Sequence, residues 1–237
     1  MSNPARSGSA LLSRMRTCHL FAELTDGELL ALEPHCRLLA LKRGDPLWRC
    51  GAEARHIHYI ISGLVEIRRP TPATEMTLMA FFGPKECPGM PVVLESRRYG
   101  ADALVSSEKA RLLTIEAAVM LELMERDARA ANAMNRSLLS QVRLLHGKID
   151  VMAAGTVARR LALFFLNLAG RFGDELDGGE VVIPITLTRT QIATYIDARV
   201  ETVIRTLSAW KKSGTLTMMR DRIELHDVKA LEREITT

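Results

Sequence analysis

The stretch DARAANAMNRSLLSQVRLLHGKIDVM, residues 127–152, decides how the rest of the chain is read. On a helix it sets Ala131, Asn135, Leu138, Val142, Leu145, Ile149 and Met152 at alternating steps of four and three, the spacing of a two-stranded coiled-coil seam. β-Branched Val142 and Ile149 take one class of seam position, and Leu138 and Leu145 take the other. In a parallel pair that division favours two strands. Asn135 shares the class of Val142 and Ile149, where a buried amide is satisfied by its own copy across the axis and so fixes register. A homodimer is the expectation, with one alternative: three heptads also suit an amphipathic helix packed on its own domain.

The 237 residues allow one large or two modest domains, and 47% hydrophobic with 25% charged residues describes an ordinary folded chain rather than a disordered one. A net charge of +4 permits a polyanionic partner without requiring one. Cys18, Cys36, Cys50 and Cys87 stand far apart in a chain with no secretory signal, so reduced thiols in a cytoplasmic protein are expected. No run is long and apolar enough to suggest a membrane partner. A nucleophile elbow, a P-loop, a zinc-peptidase signature and an acid–base constellation are all missing, so no enzyme is expected.

Before the spine the pattern is β-rich. Residues 11–20 are weakly helical, and Thr25 with Glu28 forms a capping box for a short helix that Pro34 closes. Short apolar or alternating runs at 38–41, 57–61, 64–67, 76–82, 101–105 and 111–115 are separated by Gly44, Gly51, Gly63, Gly83, Gly89 and Gly100, which predicts a sandwich or small jelly roll. His56 and His58 sit two apart on one of these strands and are expected to face solvent.

After the spine, Ala153-Ala154-Gly155-Thr156 reads as a hinge with an N-cap, followed by a core helix over 157–171 bearing Leu161, Phe164, Phe165 and Leu168 on one face. Asp177-Gly178-Gly179 turns into a strand over 181–185. Thr188 and Gln191 cap a short helix, Asp197 occupies a turn, and a second helix runs over 200–212. Two short helices so spaced form a helix-turn-helix, whose second helix reaches base edges. Glu201 and Arg205 share a face of it; a carboxylate accepts from cytosine N4, and a guanidinium binds guanine O6 and N7. The same two residues also suit a plain surface ion pair. Lys211, Lys212, Arg220 and Arg222 add charge at the helix end and on a wing hairpin over 216–225.

Leu20-Phe21-Ala22-Glu23-Leu24-Thr25, Lys42-Arg43-Gly44-Asp45 with Cys50-Gly51, and Tyr59-Ile60-Ile61-Ser62-Gly63-Leu64-Val65 resemble the effector domain of the cyclic-AMP receptor protein and fumarate–nitrate reduction regulator (CRP/FNR) family. Leu187-Thr188-Arg189 with Val200-Glu201-Thr202-Val203-Ile204-Arg205-Thr206-Leu207 resembles that family's recognition element. The resemblance implies an α+β chain: a tail and cyclic-nucleotide-binding-type β roll over 1–126, a dimerisation helix over 127–152 and a winged helix-turn-helix over 153–237. It implies a DNA-binding transcription regulator, homodimeric on a palindromic site, with double-stranded DNA and RNA polymerase as partners and an effector or redox signal as input. Val200 and Ile204 join Glu201 and Arg205 as base readers, with Val200 toward a thymine methyl, while Thr188, Arg189 and Thr202 are assigned to phosphates. The rival from another class is a sensing or scaffolding dimer without DNA affinity.

The departure from the family lies in the sensor. Its nucleotide binders carry a Gly-Glu-Leu turn and an Arg-Ser or Arg-Thr pair for the cyclic phosphate; here the sequence is Glu86-Cys87-Pro88-Gly89-Met90-Pro91, with Gly100-Ala101 near the place of the pair. Pro88 offers neither acceptor side chain nor N–H, and Arg97 and Arg98 lie off the register, so cyclic AMP is not expected. Cys18 and Cys36 are too widely spaced for the family's iron–sulfur motif. Cys87 before Pro88 leaves haem open, with Cys87 as axial ligand, beside the plainer reading of a buried thiol. Cys87, Gly89, Met90, Arg97, Arg98 and His146 make up the expected effector pocket, His146 either as a contact or as a rim residue of the seam.

Overall fold

The computed structural model describes residues 4–71, 74–95 and 97–236. The chain divides into two compact units, one of residues 1–69 and 81–141, the other of residues 70–80 and 142–237.

The first unit opens with α1 (Pro4–Arg16) and α2 (Asp26–Leu32). Thr25 Oγ1 accepts from the Glu28 N–H while the Glu28 carboxylate accepts from the Thr25 N–H, which closes the expected capping box. Two sheets follow: β1 (Cys36–Lys42), β7 (Lys109–Glu116) and β3 (His56–Ser62) in the order β1-β7-β3, and β2 (Pro46–Trp48), β6 (Asp102–Val105) and β4 (Val65–Thr71) in the order β2-β6-β4; β5 (Thr74–Phe82) falls mostly among residues 70–80 of the other unit. β7 is the middle strand of the first, antiparallel to both neighbours with Ile115 opposite Cys36 and Ile57. Leu112, Leu113, Thr114 and Ile115 are therefore all buried, where the sequence suggested only a short apolar run. Gly63 has φ of +92°, and a Cβ there would lie 2.5 Å from the Lys109 carbonyl oxygen; only glycine allows this turn.

β2, the short α3 (Met90–Leu94) and α4 (Ala117–Arg126) were not expected. β2 is three residues long and carries a register shift, too short to show a period, and α4 follows β7 with no N-cap side chain to announce it. The expectation that His56 and His58 both face solvent fails for His58. It is buried at 7% exposure, because β3 is covered on both faces along Ile57, His58, Tyr59 and Ile60.

The spine is α5 (Ala128–Ala153), one unbroken helix. Ala130, Ala133, Met134, Ser137, Leu144 and Val151 are buried along it, while Val142, Leu145, Ile149 and Met152 stand exposed. Arg129 ties its first turn to α2, pairing with Glu28 at 2.5 Å and Asp127 at 2.6 Å and donating to the Glu23 carbonyl at 3.0 Å.

In the second unit α5 ends at Ala153, Gly155 takes φ of +80°, and Thr156 Oγ1 caps α6 (Val157–Phe172) by accepting from the Arg159 N–H, the N-cap expected there. Leu161, Phe164, Phe165 and Leu168 of α6 form the core with Ile192, Val203 and Leu207. At roughly 1.5–3 kcal/mol for each large apolar side chain buried, this cluster is the main force holding the small unit together. A four-stranded sheet, β10 (Leu216–Met218), β11 (Ile223–Leu225), β9 (Val181–Ile183) and β8 (Asp174–Glu175), carries the wing, and α7 (Arg189–Ile196) and α8 (Val200–Lys212) form the helix-turn-helix. The final α9 (Val228–Thr236), which lies on α6, was not anticipated.

Candidate nucleic-acid interface

The two faces of α8 differ sharply. Val203 and Leu207 are buried; Glu201, Ile204 and Arg205 point outward, Ile204 at 48% exposure although it is a large aliphatic residue. Val200 and Thr202 are half-buried beside them, and the Thr206 hydroxyl donates back to the Thr202 carbonyl at 3.0 Å. Among the described residues neither Glu201 nor Arg205 takes part in an ion pair, so the surface-pair alternative does not hold in this structure. Both keep their donors and acceptors available for base edges.

Thr188 caps α7 with Gln191, and Arg189 is exposed at its first turn, where backbone N–H groups and a cation suit a phosphate. Lys211 and Lys212 are exposed in the last turn of α8, and Arg220 is exposed between β10 and β11. Arg222 differs: its guanidinium pairs with Glu224 at 2.6 Å and Asp221 at 3.4 Å within the wing, which holds it above its usual pKa. Its guanidinium is thus engaged within the wing. Arg199, exposed immediately before α8, escaped the sequence reading although a cation beside a base-reading helix is a visible signal.

The turn between the helices has an unusual support. Asp197 adopts φ of +53° and ψ of 63°, the left-handed conformation expected there, and α8 starts at Arg199 without a side-chain cap. Three successive carbonyls at the end of α7 instead receive cations. Lys148 Nζ of α5 donates to the Tyr195 oxygen and stands 3.7 Å from the Tyr195 ring centroid. The Arg160 guanidinium of α6 donates to the Ile196 and Asp197 oxygens at 3.1 Å each. Neither residue had been singled out, because in sequence they are only helix cations.

Along the spine, Val142 is 45%, Leu145 57% and Ile149 62% exposed. Asn135 is exposed and Leu138 half-buried on the same helix, and His146 is exposed.

In the roll, the expected effector residues do not assemble. Arg97 and Arg98 are exposed and paired, Arg97 with Glu95 and Arg98 with Glu53, both at 2.8 Å, and they border an open cleft of about 530 Å³ with Arg55, His56 and Glu116. Gly89 and Met90 lie elsewhere, at the start of α3. A Cβ on Gly89 would come 2.9 Å from the Tyr99 ring and 3.0 Å from the Trp48 indole. Trp48 stacks on Tyr99 at 4.1 Å and on His58 at 5.6 Å, and its N–H donates to the Ala101 carbonyl at 3.0 Å. The contacts described for this stack are aromatic rings and a backbone carbonyl.

Cys87 is also enclosed, at 2% exposure, and burial pushes its thiol up to about 12, opposed by a hydrogen bond to Ser137. Gln141 donates to the Cys87 carbonyl at 3.0 Å, so α5 holds this loop directly. These surroundings match the plainer expectation for Cys87, a buried small thiol. Cys18, far away in sequence, lies near enough that Cys87, after burial itself, helps raise its pKa.

Residues 38–127 match the model of the cyclic nucleotide-binding domain, and residues 159–234 match that of the Crp-like helix-turn-helix domain. The chain is 24% identical to a nitrogen fixation regulation protein, FixK, of Azorhizobium caulinodans over 76% of this chain and 71% of the relative. It is 22% identical to a CRP-like cAMP-activated global transcriptional regulator of Mycobacterium tuberculosis over 90% and 95%. The solved structure of FixK2 from Bradyrhizobium japonicum shares the fold with a TM-score of 0.71 at 18% identity, over 84% of this chain and 96% of that one. With a cyclic nucleotide-binding domain and a Crp-like helix-turn-helix in that order on either side of α5, the chain belongs to the CRP/FNR family of DNA-binding transcription regulators.

Proposed function

We propose that the protein acts in the cytoplasm as a homodimer. It grips a palindromic DNA site through two copies of α8 set in successive major grooves, with half-sites about one helical turn apart. The observation that carries this reading is the outward face of α8, with Glu201, Ile204 and Arg205 exposed and the two charges unpaired above buried Val203 and Leu207. Arg205 binds a guanine, Glu201 accepts from a cytosine, Val200 meets a thymine methyl and Ile204 adds an apolar contact. Thr188, Arg189, Thr202, Lys211, Lys212 and Arg220 hold phosphates and set position without sequence. The exposed stripe of Val142, Leu145, Ile149 and Met152 is the dimer seam, with Asn135 and Leu138 continuing it toward the helix start.

The input is a small molecule or redox signal other than a cyclic nucleotide, and RNA polymerase is the downstream partner. Support for the first statement comes from the Trp48–Tyr99 stack against Gly89 and from the pairing of Arg97 and Arg98 with carboxylates. The test is a mobility shift against a library of palindromes, with the mass measured by light scattering. Salt-sensitive binding of a dimer to a selected palindrome is expected. A dimer without DNA affinity under oxidising and reducing conditions alike would make it a scaffold instead.

A further inference from the structure

The turn that aims α8 lacks both usual stabilisers. Its left-handed residue is Asp197 rather than glycine, and no side chain caps α8 at Arg199. Aspartate visits this conformation more readily than most residues but less freely than glycine, so support from outside the turn matters here. The last carbonyls of α7 are orphan acceptors at the negative end of a helix, and cations there are favourable. Lys148 reaches the Tyr195 oxygen from α5, and Arg160 reaches the Ile196 and Asp197 oxygens from α6. The helix turn that carries Lys148 is seated on α6: the Asn167 side-chain amide donates to the Gly147 carbonyl at 3.2 Å, and a Cβ on Gly147 would lie 2.9 Å from that amide.

We propose that Lys148 and Arg160 are positioning residues for DNA reading, and that Lys148 is the link by which the helix bearing the exposed apolar stripe sets the turn before α8. This rests on the DNA-binding reading. Arg160 is a permanent cation, whereas Lys148 can lose its charge. Burial brings the Lys148 amine down to about 8, opposed by the Asp197 carboxylate at the same turn. The other groups facing it are Tyr195, whose phenol burial holds above its usual range, and Arg160 across the adjacent carbonyls. Deprotonation removes the cation from the end of α7, so selective DNA affinity falls as pH rises through about 8. Folding stability moves the other way. With the folded pKa below the unfolded one, the unfolded chain binds more protons between them, and stability contributed by this group rises with pH over that window. A link that served only to hold the fold together would not produce these opposite slopes.

The experiment measures binding of the full-length protein to a selected palindrome and to random DNA by fluorescence anisotropy, from pH 7 to 9.5, for wild type, Lys148→Met and Lys148→Arg. At pH 7 Lys148→Met weakens palindrome binding by about tenfold and random-DNA binding by less than about twofold. Its palindrome affinity is then flat where wild type declines, and Lys148→Arg restores affinity and stays flat as well. Parallel pH profiles for all three proteins overturn the link while leaving DNA reading intact. Failure of wild type to bind any DNA overturns both. Should Lys148→Met not fold, the comparison of wild type with Lys148→Arg decides: a decline shared by both refutes the proposal, and a decline in wild type alone supports it.

Discussion

The outer face of α8 and the roll handle charge in opposite ways. On α8, Glu201 and Arg205 stand exposed without partners among the described residues, whereas in the roll buried Glu66 pairs with Arg68 at 2.8 Å, and exposed Arg97 and Arg98 are taken up by Glu95 and Glu53. An unpaired charge at a surface costs little, but in a core it costs several kcal/mol. A surface that reads DNA can hold its donors open while waiting for a partner. A carboxylate inside the roll cannot, and Glu66 is answered by a guanidinium from its own strand.

Four measurements break or sharpen that contrast. Ile149→Asp puts a carboxylate in the middle of the exposed stripe, so the dimer dissociates by light scattering, and palindrome affinity falls by about 100-fold or more as the two readers are unlinked. A variant that remains dimeric removes the seam from α5. Arg205→Ala lowers affinity for the selected palindrome by about 10- to 100-fold and leaves random-DNA affinity nearly unchanged; an equal loss on both would make Arg205 a phosphate ligand.

Inside the roll, burial brings the His58 imidazole down to about 3, first by desolvation and then by neighbouring His56. Its folded pKa lies below the unfolded value of about 6.5, so the unfolded state binds the extra proton in between, and stability falls as pH drops from about 6.5 toward 3. Urea unfolding at pH 7 and pH 4 should differ by on the order of 2 kcal/mol more in wild type than in His58→Phe. The same difference in both proteins would mean that His58 titrates freely. The smallest effect separates two wing arginines. Arg220→Ala reduces the slope of log affinity against log salt by about one, and Arg222→Ala, whose guanidinium already pairs with Glu224, leaves it unchanged.

Features set by neighbours in sequence were legible. The capping boxes of Thr25 with Glu28 and Thr188 with Gln191, the left-handed Asp197, the N-cap at Thr156 and the span of α8 all depend on residues within one turn of each other. β2, α3 and α4 were not, being short or without a cap to mark them, and α9 was missed although Asp227 caps it by accepting from the Ala230 N–H at 2.8 Å. The burial of His58 and the nearness of Cys18 to Cys87 were hidden because distant strands and helices supply the surroundings.

By itself the sequence determined that one helix carries an apolar stripe at coiled-coil spacing and that a second presents Glu201 and Arg205 on a single face, since helical period alone decides which residues stand side by side. Tertiary structure decided which charges remain free. Arg98 looks like Arg205 in the chain, and only folding brings Glu53 up to the first from far away in sequence and leaves the second alone, whereas Arg97 and Arg222 pair with carboxylates two residues off. It also carried Lys148 and Arg160 to the end of α7, because an orphan carbonyl is answered by whatever donor the packing of other helices delivers to it.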